Sequence, residues 1–358
     1  MTFRTTATVT LDEAETVLGA ILDHMEEHAT VVRSEAGARL DSPFGTVEIE
    51  RQADRLLVEV ATGSVEILAM IKIFIAEHIF EFATGTPTIA WAGDGTADRL
   101  PPHFRELRVL EAFDVTPRMR RLFFRAEDVS TYAGDAQYHV RLLIPPHGRT
   151  PRWPSIAADG RMTWPEGEDA LVNRVYTIRS VDLARSTVAV DFVLHGEGGS
   201  PGADFARQAR PGDVVGMLGP AGGGLPQGQH LLLLGDETAL PAIARMLESL
   251  PQGATADVFV QIEDKAEKQE IHSKGEIRLT WLCRQGSETL EQVLATQLDL
   301  ENADSKYVWA GCEQQVAARL RAIYRNRFPN ARNSYRIVGY WSRQGRVEDA
   351  LDDRRDGA

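Results

Sequence analysis

After Gly222-Gly223-Gly224 the rhythm of this chain changes, and that change constrains the fold more than any other feature. Before it, from Arg105 onward, short apolar runs recur between Gly and Pro turns: Arg105–Phe113, Met119–Arg125, Gln137–Ile144, Val172–Ser180, Thr187–Leu194 and Asp213–Leu218. Runs of that length, separated by Gly and Pro turns, predict an antiparallel β-barrel. After it, apolar runs at His230–Leu234, Ala256–Ile262, Ile277–Leu282, Lys306–Ala310 and Arg332–Gly339 alternate with helical spacing at Asp236–Leu250, Leu290–Leu298 and Glu313–Phe328. Strands separated by helices in this way predict an α/β domain with a mostly parallel sheet.

The N-terminal part reads as a separate α+β unit. Phe3–Thr10 alternates as a strand, Asp12–Met25 has helical spacing with Asp12 as cap, and Thr30–Arg33, Gly45–Arg51 and Arg55–Val60 are strand-like. A long apolar helix is predicted from Gly63 to Glu81, too short to span a bilayer and suited to a core or a dimer face. The expected organisation is multidomain α+β and α/β: an α+β domain over 1–92, a turn-rich linker over 93–104, a barrel over 105–228, an α/β domain over 229–347 and a charged, mobile tail over 348–358. Pro145–Glu168 forms a long insertion between two barrel strands, rich in Pro, Gly and Trp.

With 358 residues and a net charge of -13, the chain has room for two or three domains and is a poor partner for nucleic acid. An anionic substrate would need a local basic patch. No apolar run has the length of a membrane span, and no apolar signal core follows Met1-Thr2-Phe3-Arg4. The two cysteines, Cys283 and Cys312, are far apart, which excludes a Cys-rich metal site and a disulfide framework. These features predict a soluble, cytoplasmic protein without stable membrane insertion.

Three motifs carry chemistry. Arg174-Val175-Tyr176-Thr177-Ile178-Arg179 sets a cation, an aromatic face and a hydroxyl along one strand. Asp191-Phe192-Val193-Leu194-His195 leads into the Gly-rich run Gly196–Gly202, whose backbone N–H groups at a helix start suit a pyrophosphate. The combination fits a flavin dinucleotide better than a mononucleotide or a metal. Third, Gly235-Asp236-Glu237-Thr238-Ala239 occupies the first strand-to-helix turn of the α/β domain. It lacks the G-x-G-x-x-G pattern of a tight dinucleotide site, and its acids oppose a firmly held pyrophosphate. A visiting nicotinamide donor fits, with Thr238 donating; a capped helix start accounts for the same residues. Glu263 and Asp264, at the end of the second α/β strand, suit a ribose hydroxyl, whereas Lys265 and Lys268 suit a 2′-phosphate, so NADH and NADPH both remain open.

As an ordered set, Thr116–Arg121, Arg174–Arg179, Asp191–Gly196, Gly235–Ala242, Trp309-Ala310-Gly311 and Gly339-Tyr340-Trp341 resemble the ferredoxin reductase-like flavoproteins. The closer resemblance is to one branch, the siderophore-interacting proteins, which are FAD-dependent ferric-siderophore reductases. It covers about Arg105 to Arg346; the N-terminal part resembles a small domain of unassigned function also found fused to such reductases. The resemblance implies that Arg174 meets the FAD pyrophosphate, Tyr176 packs on the isoalloxazine ring, and Thr177, with Ile178 beside it, bonds the ring edge near N5. It places His195 near the adenosine or diphosphate, with Val193 and Asp191 on the same side. Asp191 either holds ribityl hydroxyls or is a solvated charge.

The resemblance further implies that Gly198, Gly199, Ser200, Gly202 and Ala203 supply phosphate donors, and that Asp236, Thr238 and Ala239 approach the flavin. Tyr340 and Trp341 either cover the flavin face or pack in the core. Cys312 either approaches the ring or is a small buried hydrophobe. Arg179, Arg343, Arg346 and Lys265 could give an anionic iron chelate its positive field. No catalytic side chain and no protein metal site is expected. The implied cycle is hydride transfer from NADPH or NADH to FAD, then two single-electron transfers to ferric siderophores. Other readings are a flavin-dependent NAD(P)H reductase with another acceptor, and a non-catalytic ferric-siderophore binding protein. The N-terminal domain is left as a dimerisation module or a cover, and the sequence does not give the oligomeric state.

Overall fold

The computed structural model describes residues 2–26, 29–95, 100–194, 200–298, 305–330 and 334–343. Two compact units make up the chain: residues 1–104 with 146–171, and residues 105–145 with 172–358. Elements are numbered along the chain.

The first unit is an antiparallel sheet covered by two helices. Its strands are β1 (Phe3–Thr10), β2 (Thr30–Ser34), β3 (Gly37–Ser42), β4 (Gly45–Gln52), β5 (Arg55–Thr62) and β6 (Thr88–Gly93), in the order β2-β3-β4-β5-β1-β6. Alternation along β1 and β5 turns Ala7, Val9, Leu56, Val58 and Val60 toward helices α1 (Ala14–Met25) and α2 (Val65–Phe82). Those helices return Val17, Leu18, Ile21, Leu22, Leu68, Ile75 and Ile79 to the same core. The long apolar run is therefore core on one face. α2 starts at Ser64, whose hydroxyl accepts from Ile67 N. α1 differs from the expected start: Asp12 does not cap it, and Glu13 at the cap position is left-handed with φ 58°.

The insertion belongs with this sheet, although the sequence reading assigns it to the barrel domain. A short hairpin of β10 (Ser155–Ile156) and β11 (Met162–Thr163) reaches β6 and α2. Trp91 Nε1 donates to Asp159 O at 2.9 Å, and Met162 N donates to Glu77 Oε1 at 3.0 Å. The Arg161 guanidinium lies 3.5 Å from the centre of the Phe80 ring. Gly160, at φ +95°, has Trp91 Nε1 2.7 Å from where a Cβ would stand, so this turn needs glycine for both conformation and space.

In the second unit, β7 (Arg105–Thr116), β8 (Met119–Arg125), β9 (His139–Ile144), β12 (Val172–Asp182), β13 (Thr187–Val193) and β14 (Val214–Ala221) close a barrel in the order β12-β13-β8-β7-β14-β9. Leu107, Leu122, Phe124, Val140, Leu142, Val188, Val190, Phe192 and Met217 fill it. Helix α3 (Pro201–Gln208) lies between β13 and β14 in the chain. The α/β part holds β15 (His230–Gly235), β16 (Thr255–Ile262), β17 (Glu276–Cys283), β18 (Tyr307–Glu313) and β19 (Tyr335–Trp341), all parallel, in the order β17-β16-β15-β18-β19. Helix α4 (Leu240–Ser249) follows β15, α5 (Leu290–Leu298) follows β17 and α6 (Gln314–Arg327) follows β18. The order reverses between β15 and β18, so the crevice of a doubly wound sheet opens beyond Gly235 and Gly311. Among the described residues no helix is long and apolar enough to cross a membrane.

Candidate functional site

Strand β12 brings Arg174, Tyr176 and Thr177 opposite Leu142, Val140 and His139 of β9. The Tyr176 ring packs on Phe192 with centroids 4.4 Å apart, and burial pushes its phenol pKa up. Its hydroxyl lies where a Cβ on Gly202 would stand. Gly202 is therefore glycine because Tyr176 runs across the first turn of α3. Ser200 caps that helix without a side-chain bond, and the ladder begins with Asp204 N donating to Ser200 O at 3.0 Å. The N–H groups of Gly202 and Ala203 come before this first bond, at the positive end of the helix and in buried surroundings. Arg174 stands two residues before Tyr176 and donates to Asn173 O at 2.8 Å. A guanidinium, an aromatic ring and first-turn amides on one stretch of barrel form a donor set that fits a flavin dinucleotide. His195, Gly198 and Gly199, the remaining sequence candidates here, lie outside the described residues.

Thr177 sits in a polar line that crosses from the barrel to the parallel sheet. Its Oγ1 is 3.3 Å from His139 Nδ1, and His139 Nε2 is 3.0 Å from the Tyr340 hydroxyl at the end of β19. Thr177 and His139 are both buried. Burial, then Arg336 and Arg245, pushes the His139 pKa down to about 3, so the ring is neutral. Tyr340 also meets Trp309 edge-on at 6.1 Å. Arg245 of α4 closes the joint from below. Its guanidinium donates to Ile178 O at 2.8 Å, Tyr132 O at 2.7 Å and Gly134 O at 2.8 Å, and lies 4.2 Å from the Tyr138 ring centre. Neither His139 nor Arg245 stands out in sequence, because the partners of each come from distant strands.

The first turn of the parallel sheet is closed. Gly235 admits no Cβ, since Ala239 Cβ would be 2.7 Å away and Ile243 Cδ1 2.9 Å away. Asp236 is buried, which raises its pKa, while three donors converge on it: Thr238 N at 2.9 Å, Thr238 Oγ1 at 2.6 Å and Trp341 Nε1 at 2.7 Å. Arg284 pairs with Glu237, with Nη2 2.5 Å from Oε2. Thus the acids of this turn face protein donors, and Thr238 directs its one hydroxyl hydrogen at Asp236, unlike the outward donation expected of Thr238. Trp341 is half-buried, held by its indole N–H, and Ala239 is buried against Gly235 and Gly311.

The other candidate residues have surroundings that the sequence does not show. Arg179 is paired with Glu248 at 2.5 and 2.7 Å, so its charge is neutralised and is no free cation for an iron chelate. Asp191 is neither solvated nor open to ribityl hydroxyls, because Arg121 binds both its oxygens, at 2.6 and 2.8 Å. Ile178 has its N–H on Tyr138 O and its carbonyl under Arg245, leaving no open backbone group there. Cys312 is buried in the apolar cluster beneath α5 and α6, and burial drives its thiol pKa up, so it is a small hydrophobe. Val193 is half-buried and packs on the cluster around α4. Glu263 pairs with Arg118 at 3.0 Å and Asp264 caps a short turn by accepting from Ala266 N at 2.8 Å. Lys265, Lys268 and Arg343 are exposed, and Arg346 lies outside the described residues.

Comparison with known proteins accounts for the three parts of the chain. Residues 108–224 match the model of the siderophore-interacting FAD-binding domain, and residues 228–344 match that of the siderophore-interacting protein. Residues 6–92 match a model described as an uncharacterized protein conserved in bacteria. The ferric vibriobactin reductase ViuB of Vibrio cholerae is 28% identical over 249 residues, covering 67% of this chain and 90% of the relative. The uncharacterized protein Rv2895c of Mycobacterium tuberculosis is 33% identical over 268 residues, covering 68% of this chain and 93% of its own. The crystal structure of a siderophore utilization protein from T. fusca superposes with a TM-score of 0.56 at 31% identity, over 69% of this chain and 95% of that one.

Proposed function

The chain belongs to the siderophore-interacting protein family, and from that premise we propose that it reduces ferric siderophores through FAD, with a nicotinamide dinucleotide as electron donor and ferrous iron as product. It is an oxidoreductase with an FAD-binding barrel. The observation that carries the reading furthest is the donor set of Arg174, Tyr176 and the first turn of α3.

Arg174 and the amides of Gly202 and Ala203 would hold the pyrophosphate, Tyr176 would support the ring, and Thr177 would meet its edge. Bound there, FAD supplies the conversion of one hydride into two single electrons. The chain's own residues provide the frame. Arg245 fixes the carbonyl of Ile178 directly behind Thr177, and the Trp341–Asp236 bond holds the end of β19 on the first turn of the sheet. The first contact ties the strand that bears Thr177 to α4, and the second braces the crevice where a nicotinamide donor would enter.

The second-strand region supports NADPH over NADH. Glu263 and Asp264, which would suit a ribose hydroxyl, are engaged by Arg118 and Ala266 N, while Lys265 and Lys268 stand exposed beside them. Iron arrives as substrate in its own ligand shell. Ferric iron prefers hard oxygen donors, so reduction loosens the chelate, and each tenfold preference for the ferric state lowers its potential by ~59 mV.

The test begins with reconstitution by FAD and a flavin spectrum. Reduced protein is then mixed anaerobically with ferric catecholate and hydroxamate siderophores plus a ferrous chelator. Flavin reoxidation with formation of the ferrous complex is expected. Reoxidation by quinones or free flavin, with none by iron chelates, would assign another acceptor.

A further inference from the structure

Thr177, His139 and Tyr340 have a property that position alone does not express. A neutral imidazole carries one hydrogen, so one ring nitrogen donates and the other accepts. The line Thr177 Oγ1, His139 Nδ1, His139 Nε2, Tyr340 hydroxyl therefore has two self-consistent arrangements. In the first, Tyr340 donates to Nε2 and Nδ1–H donates to Thr177, which leaves the Thr177 hydroxyl hydrogen to point outward. In the second, Thr177 donates to Nδ1 and Nε2–H donates to Tyr340, and Thr177 turns only lone pairs outward. Each arrangement has one hydrogen on Thr177, one on the imidazole and one on Tyr340. Exchange between them moves no net charge and displaces no heavy atom.

The group expected outside Thr177 changes its own polarity with redox state. Flavin N5 is an acceptor when oxidised and carries a hydrogen when reduced. A fixed donor would suit only the first form and a fixed acceptor only the second. We propose that His139 is a positioning residue whose tautomer follows the oxidation state of the flavin, with Nδ1–H when it is oxidised and Nε2–H when it is reduced. This rests on the reading that Thr177 meets the ring edge.

The geometry around the ring favours such exchange. His139 is buried at 6% exposure, and Arg245 and Arg336 disfavour a second proton, so the neutral pair of tautomers is what remains. The Thr177 and Tyr340 hydroxyls rotate freely about their C–O bonds, so each serves as donor or acceptor. Tyr340 belongs to β19 of the parallel sheet, so the far end of the line sits on the nucleotide-binding part, and its phenol is held neutral by burial.

The experiment is nitrogen NMR of the full-length, histidine-labelled protein in three states: without FAD, with oxidised FAD, and with FAD reduced by dithionite. His139→Gln assigns the signals, and Thr177→Val removes the outward hydroxyl at constant shape. In the wild type the protonated ring nitrogen of His139 should change from Nδ1 to Nε2 on reduction. In Thr177→Val, with bound FAD verified by its spectrum, one tautomer should persist in both redox states. If FAD binding leaves the His139 signals as they are in the free protein, Thr177 does not face the ring, and the proposal falls with that reading. If FAD binding shifts the signals but reduction leaves the same nitrogen protonated, the reading stands and the tautomer exchange is overturned.

Discussion

The barrel strand that carries Arg174, Tyr176 and Thr177 and the turn that carries Gly235, Asp236 and Thr238 are equally conspicuous in the sequence, yet they deploy their polar groups in opposite senses. On the strand, the donors stand beside the first turn of a short helix that lacks a side-chain cap, and a glycine makes room for the tyrosine hydroxyl. In the turn, every conspicuous side chain is answered by protein: Asp236 by Thr238 and Trp341, Glu237 by Arg284, Gly235 by Ala239. The physical reason is enclosure. A buried carboxylate must find donors, and a turn pinned between a helix and two strand ends finds them in its own walls. Beside the strand, the amides of Gly202 and Ala203 precede the hydrogen-bond ladder of α3, so they can meet a ligand. A motif marks a place where chemistry concentrates; whether it can face a ligand or builds the floor beneath it depends on the partners that the fold brings to it.

The sharpest attempt to break this contrast is Asp236→Ala. It leaves two part-buried N–H donors and one hydroxyl without their acceptor, and unsatisfied buried groups cost about 1–3 kcal/mol each, less when water can reach them, so a loss of ~2–4 kcal/mol is expected. Denaturant unfolding measures it, and Asp236→Asn, which keeps one acceptor oxygen, should lose about half as much. Unchanged stability with weakened nucleotide binding would mean that the acid faces the ligand after all. On the strand the expectation is reversed. Arg174→Ala should fold normally and bind FAD about 10- to 100-fold more weakly, as expected for the loss of a charge-assisted bond of ~1.5–3 kcal/mol. Calorimetric titration with FAD gives the ratio, and an unchanged Kd removes Arg174 from the pyrophosphate.

His139 offers a subtler probe of the strand side through pH. Its folded pKa is pushed down to about 3, below the ordinary histidine value of ~6.5, so the unfolded chain binds more protons between these limits. Its contribution is fully present above the unfolded pKa and is lost as pH falls toward the folded one. At pH ~5 the loss is about 2 kcal/mol. His139→Gln should flatten the stability profile between pH ~6.5 and ~4 relative to the wild type. A profile with the same slope would mean that the histidine takes up its proton in the folded protein.

The same division governs what could be read from the sequence. Met119–Arg125 and Leu290–Leu298 appear with the ends that local pattern predicts, because strand alternation and helical spacing are properties of neighbours in the chain. β3 and β6 are not legible: Gly37–Ser42 mixes small, charged and polar residues around one leucine, and Thr88–Gly93 is a six-residue run behind Pro87. They become strands because β4 and β1 present open edges to them. The insertion looks like a barrel loop until Trp91 and Glu77, more than sixty residues upstream, take hold of its hairpin. Among the candidate residues, Arg174, Tyr176 and Thr177 stand out in the sequence because they are close neighbours along one strand. Arg179 and Asp191 were misread, since Glu248 and Arg121, which neutralise them, come from a helix and a strand that only folding brings near. His139 and Arg245 carry no local pattern at all; each has meaning only through its partners.

The smallest effect tests the contrast at the second strand, where acids and cations share one stretch of chain. Glu263 pairs with Arg118 and Asp264, itself exposed, accepts from Ala266 N, while Lys265 and Lys268 are exposed beside them. By the logic that separates strand from turn, the lysines are the ligand-facing members. An exposed ammonium on a phosphate is worth only ~0.5–1 kcal/mol, so Lys265→Ala with Lys268→Ala should raise KM for NADPH by about 5- to 30-fold. The turn itself should be indifferent, because Ala266 N and Glu267 N bond to Asp264 without the lysine side chains. KM for NADH, which lacks the 2′-phosphate, should be nearly unchanged, and the NADPH effect should shrink as salt screens the exposed charges. Equal effects on both dinucleotides would make the lysines a general attractive patch. An effect confined to the ferric-siderophore KM would move Lys265 to the iron side of the reaction, the role its charge alone suggests. Only a selective NADPH effect keeps the division intact, with the hydrogen-bonded acids as scaffold and the open cations as the reading head for the phosphate.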